Sequence, residues 1–119
     1  MDTPPVDKAL HYYERFDRSL RAELRGLATD EVIEEHRANP FSERPQSDAL
    51  RRLLNYFRRA PQAGKYVIVA VRPWREYRIG LLSGVRGALP KVLDEPVFAS
   101  EREALHGVFL ARIRDLRES

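Results

Sequence analysis

Apolar residues Val6, Leu10, Tyr13, Leu20, Leu24 and Leu27 recur at spacings of three, four and seven, which predicts a long amphipathic helix at the start of the chain. Thr3 suits its N-cap, Pro4-Pro5 its first positions and Gly26 its end. Some twenty residues would form a rod of ~30 Å. Phe16 falls between Tyr13 and Leu20 while Tyr12 lies off the line, so the apolar face is broader than a coiled-coil seam and part of it is a candidate interface. A second, short helix is expected from Asp30 to about Arg37, opened by Thr29 or Asp30, with Val32 and Ile33 as its core residues. Pro40 and Pro45 break the helical pattern over Ala38–Gln46, predicting an ordered loop anchored by Phe41. Ser47 then caps a third helix, which places Leu50, Leu53, Leu54 and Phe57 on one face and stops before Pro61.

Beyond Gln62-Ala63-Gly64 the period shortens. Tyr66–Val71 is a β-branched run of strand length, and Glu76–Leu81 follows after the connection Arg72-Pro73-Trp74-Arg75, so a hairpin is predicted. Val85–Glu95, with Gly84 just ahead of it and Gly87 and Pro90 within, reads as a loop leading to a short third strand at Val97-Phe98. Ser100 and Glu103 form a capping box for a last helix, whose apolar face is Leu105, Val108, Phe109, Ile113 and Leu116. The expected fold is α+β: N-terminal helices, then a small antiparallel β-sheet and a C-terminal helix. Residues 1–119 form a single domain, helical over 1–61 and sheet plus helix over 62–119.

Composition narrows the chemistry. The chain has 119 residues and no cysteine, which removes disulfides, thiolate metal sites and a Cys nucleophile. Its six-residue apolar run at Tyr66–Val71 falls far short of the ~20 residues of a spanning helix, and Met1–Pro5 has no signal-peptide character, so a cytoplasmic location and no membrane association are expected. The net charge of +3 conceals an asymmetry: residues 1–43 carry −4, residues 44–91 carry +9 and residues 92–119 carry −2.

The candidate catalytic groups are sparse. His11, His36 and His106 fit no spaced metal motif, and His36, near a helix C-terminus, is expected to be a surface or helix-end residue favoured by the dipole. Glu31, Glu34 and Glu35 offer carboxylates for acid/base work, but acids in a helix's first turns are ordinarily a solvated face. No G-x-S-x-G elbow, Walker loop or dinucleotide fingerprint is present. No catalytic, cofactor-binding or metal-ligating residue is therefore assigned. The most suggestive surface is the basic-aromatic middle: Arg51, Arg52, Arg58 and Arg59 on the third helix, then Lys65, Arg72, Trp74, Arg75, Tyr77 and Arg78 around the hairpin. Arginine beside Trp and Tyr is the composition both of protein hot spots and of nucleic-acid platforms. Eighteen acids and the lack of an RNA-binding signature weigh against nucleic acid.

Three stretches carry a resemblance: Glu34-Glu35-His36-Arg37-Ala38-Asn39-Pro40-Phe41; Leu50–Tyr66, centred on Leu53-Leu54-Asn55-Tyr56-Phe57; and Phe98–Ile113, with Ser100-Glu101-Arg102-Glu103 at its head. Together they resemble the small (light) subunit of the N,N-dimethylformamidases. The resemblance implies an amidohydrolase that converts dimethylformamide and water to dimethylamine and formate, with a Lewis-acid iron held by a large catalytic subunit. It further implies a heteromer with two or more copies of each subunit. This chain would then be the accessory half, with no cofactor of its own, and Phe41, Tyr56, Arg58, Trp74 and Tyr77 are the expected contacts to the large subunit. Two rival expectations remain: a small basic nucleic-acid-binding module, and a self-contained enzyme using His36 with a glutamate.

Overall fold

The structure, a computed structural model, describes residues 8–59 and 65–118, with side chains from residue 15 onward. Four helices and three strands follow one another as α1 (Lys8–Leu27), α2 (Asp30–Ala38), α3 (Asp48–Arg58), β1 (Tyr66–Arg72), β2 (Glu76–Leu81), β3 (Lys91–Phe98) and α4 (Glu101–Glu118). The α+β architecture is the one the hydrophobic periods call for. Thr3, Pro4-Pro5 and the His11 side chain lie outside the described residues, as does the Gln62-Ala63-Gly64 boundary.

Caps set the helix starts where the sequence places them. Thr29 Oγ1 accepts from Val32 N at 3.3 Å and Ser47 Oγ from Leu50 N at 3.2 Å. Ser100 Oγ accepts from Glu103 N, while the Glu103 carboxylate reaches back to Ala99 N, so two orphan donors at the head of α4 are satisfied together. The Ala38–Gln46 loop is ordered, but its anchor is Asn39 rather than Phe41. Asn39 is buried; its Oδ1 accepts from Glu43 N and Arg44 N and its Nδ2 donates to Arg44 O, whereas Phe41 is 43% exposed. A short amide side chain can satisfy backbone groups on both sides of a bend, which a phenyl ring cannot.

The sheet is antiparallel in the order β1-β2-β3. Its third strand is the larger departure from expectation: it runs for eight residues, not two, and contains Asp94, Glu95 and Pro96. Acids and a proline depress strand propensity, yet an edge strand tolerates both because one of its sides needs no ladder partner. The β2–β3 register skips between Arg78 and Gly80, which accommodates the irregular segment.

α4 is the centre of the molecule. Phe109, Ile113 and Leu116 enter the main core with Leu24, Ala28, Val32, Leu50, Leu53 and Phe57. Gly107 lies against the Phe98 ring on β3, and Ala104 and Val108, on the same side of the helix, are buried beneath the sheet with Tyr77 and Ile79. Apolar residues spread round α4 because it is covered on two sides, by the helices and by the sheet. Arg112 ties the layers: its guanidinium donates to Tyr66 O on β1 and lies 5.9 Å from the centre of the Phe57 ring on α3.

Candidate partner interface

The residues expected at an interface divide into two groups. Phe41, Arg58 and Trp74 are exposed; Tyr56 and Tyr77 are used within the chain. Tyr56 is half-buried against the main core and donates from its hydroxyl to Asp17 Oδ1 at 3.0 Å, linking α3 to α1. Burial, with the Asp17 carboxylate adding to it, pushes its phenol up to about 12. Tyr77 is 7% exposed and its hydroxyl accepts from Trp74 N at 3.2 Å. Tyr77 thus works as a strut for the hairpin tip, and only its neighbour meets solvent.

That tip is unusual in its backbone. Trp74 has φ +68, a left-handed conformation that a bulky side chain adopts only when its surroundings impose it, and its ring is 88% exposed. Beside it a cleft of about 350 Å³ is lined by Ile68, Ala70, Pro73, Trp74, Tyr77 and Glu101. A large aromatic surface held out by strained backbone, next to an apolar cleft, is the arrangement of an anchor residue for another macromolecule.

The basic band is partly neutralised by the fold. Arg52 pairs with Glu23 on α1, and Arg78 pairs with Glu76 at 2.9 Å and approaches Asp94 at 3.9 Å. Arg72, Arg75 and Arg86 are exposed and form no ion pair among the described residues. Arg51, Arg58 and Arg59 are likewise exposed without an ion pair among the described residues, so the cationic character that survives is divided between α3 and the connections that flank the sheet.

The histidines and acids have structural employment. His36 is not on the surface: it is 3% exposed, its ring stacks on Phe109 at 4.0 Å between centroids and 10° between planes, and its Nδ1 lies 2.9 Å from His106 Nδ1. One nitrogen of that pair must be an N–H donor and the other a bare acceptor, so both rings are held neutral or share a single extra proton. Burial, with the nearby His106 adding to it, lowers the His36 imidazole to about 4; His106 is lowered as well, by burial and then by Arg37. The partner of His36 is therefore a second histidine 70 residues away in sequence, rather than a glutamate. Glu34 binds Arg37, and Glu35 accepts from both Ser47 N and Ser47 Oγ, bracing the start of α3. Sequence reasoning missed the pair, although Val32 and His36 share a helix face at i,i+4, as do His106 and Phe109 at i,i+3.

Among the described residues no three His, Asp or Glu side chains gather into a metal-binding group, and no helix is long and apolar enough to cross a membrane. What the fold displays is a buried His36 paired with a half-buried His106 and, outside, exposed aromatic and cationic side chains, which defines an α+β protein equipped for contact with other chains. The N,N-dimethylformamidase alpha subunit family matches residues 11–119, and this chain belongs to it. It is 45% identical over 114 residues to the N,N-dimethylformamidase alpha subunit of Paracoccus aminophilus, an overlap of 93% of this chain and 79% of that protein. It is 42% identical over 114 residues to the N,N-dimethylformamidase alpha subunit of an Alcaligenes species, covering 93% of this chain and 85% of the relative. The resemblance read from the three stretches thus leads to the same enzyme, with the subunit designated alpha.

Proposed function

We propose that this chain is the accessory subunit of an iron-dependent amidohydrolase acting on dimethylformamide, and that it stabilises and orients a larger catalytic subunit. The observation that carries this reading is the surface the chain leaves uncovered. Among the described residues nine large apolar side chains stand exposed, Trp74 at 88% and Leu89 at 89% foremost among them, which is the surface a partner chain would remove from solvent.

The iron is assigned to the other subunit because, among the described residues, no three His, Asp or Glu side chains gather to hold an ion. The imidazoles of His36 and His106 are turned to each other, Glu34 is held by Arg37 and Glu35 by Ser47. Co-expression with the other subunit tests the reading: the two chains should co-purify with dimethylamine-releasing activity, in a heteromer whose mass gives the copy number. Turnover of dimethylformamide by this chain purified alone would overturn it.

A further inference from the structure

We infer that the sheet face turned away from α4 is the surface on which the other subunit seats, an inference that rests on the accessory-subunit reading above. The strand register sorts the residues. Val67 pairs with Gly80, Val69 with Arg78, Gly80 with Val92 and Arg78 with Val97, so these six share one face; Ile68, Ile79, Tyr77 and Phe98 share the other, against α4. A strand buried on one side should alternate apolar with polar residues, but β1 is apolar on both. The outer face is consequently a strip rich in valine, with the Arg78–Glu76 ion pair set among the valines. Val67 and Val69 close over Gly80 together with Pro90, and Val92 and Val97 beside them are 42% and 52% exposed.

The strip continues past both ends of the sheet. At one end the β2–β3 connection, turned by Gly84 and Gly87 at φ +84 and +85, displays Val85 and Leu89 at 67% and 89% exposure. At the other, Val71 is exposed on the hairpin, while Trp74 stands at the α4-side rim, on the cleft it shares with Ile68, Tyr77 and Glu101. Among the described residues the helical side exposes Phe16 on α1, Phe41 on the α2–α3 loop and Leu110 on α4, each on a different element.

Charge selects the occupant. Arg72 and Arg75 border one end of the strip and Arg86 the other, with no ion pair among the described residues, while the exposed Asp94 and Glu95 lie along the β3 edge. A second copy of this chain, stacked sheet to sheet, would set the two cationic ends against like-charged ends. A different chain with an apolar surface edged by carboxylates would complement both the strip and its borders. The other subunit is the occupant, and the sheet face is where it meets this chain.

The test uses tagged wild-type chain co-expressed with the other subunit, beside Val92→Glu/Val97→Glu and, separately, Leu89→Glu. All three positions are exposed, so the variants should keep the wild-type thermal midpoint, and Leu89 on its connection guards against a misfolded sheet variant. The inference expects at least a tenfold fall in the co-purified partner for each, and little change for Phe16→Glu or Leu110→Glu. It is overturned if folded Val92→Glu/Val97→Glu and Leu89→Glu capture the partner at the wild-type level, or if the isolated chain sediments as a dimer that Val97→Glu dissociates. If the wild-type chain itself captures no partner, the accessory reading falls, and this inference with it.

Discussion

Acidification should weaken this protein through His36. In the unfolded chain its imidazole titrates near the ordinary 6.5; in the fold it is lowered to about 4 by burial against Phe109 and the proximity of His106. The unfolded state therefore binds the proton more readily, so the stabilisation is complete above pH 6.5 and is lost as pH falls toward 4. His106, half-buried, faces solvent with Glu34 and Arg37 nearby. A first proton is best placed there, where its Nδ1–H can still donate to His36; a second would set two N–H groups face to face. The full difference between 6.5 and about 4 corresponds to about 3 kcal/mol, and at pH 5 about 2 kcal/mol of it is already gone. Urea unfolding of the wild type and of His36→Phe at pH 7.5 and pH 5 isolates this contribution, since the carboxylates titrate alike in both. The wild type should lose about 2 kcal/mol more than the variant between the two pH values. Equal losses would refute the burial argument, and a smaller loss in the wild type would reverse its sign.

Three further outcomes follow from the packing. Gly107→Ala adds a methyl that overlaps the Phe98 ring; although alanine favours a helix by about 1 kcal/mol, thermal unfolding should show a net loss of about 1–3 kcal/mol, recovered in part by Phe98→Leu. Asn39→Ala strips the loop of three hydrogen bonds and leaves Glu43 N and Arg44 N without their acceptor, for an expected loss of about 2–3 kcal/mol in chemical denaturation. Glu35→Ala and Ser47→Ala should each cost about 1 kcal/mol and couple in a double-mutant cycle, because one carboxylate binds both the amide and the hydroxyl of Ser47; strict additivity would contradict that contact.

Local rules carried far in this chain. The spacing of Leu50, Leu53 and Phe57, the caps at Thr29, Ser47 and Ser100, and the β-branched run at Tyr66–Val71 each report a preference a few residues long, and each element formed where its signal lies. β3 was legible only at Val97-Phe98 because Asp94, Glu95 and Pro96 oppose strand formation locally; pairing with β2, a tertiary contact, overrides them. Of the anticipated contacts, Trp74 declares its exposure through its place in a turn. Tyr77, three residues on, does not, because burial depends on α4, which arrives more than twenty residues later.

By itself, the sequence determined the order of elements, the α+β class, the cysteine-free chemistry and the family, since each resides in composition, period or short strings. The role of Asn39 in its loop is also local, since its bonds reach only Glu43 and Arg44. Tertiary structure alone decided that His36 meets His106 and that the second face of β1 stays open. Those outcomes depend on which element packs against which, and a contact between residues 70 positions apart leaves no mark in a local pattern.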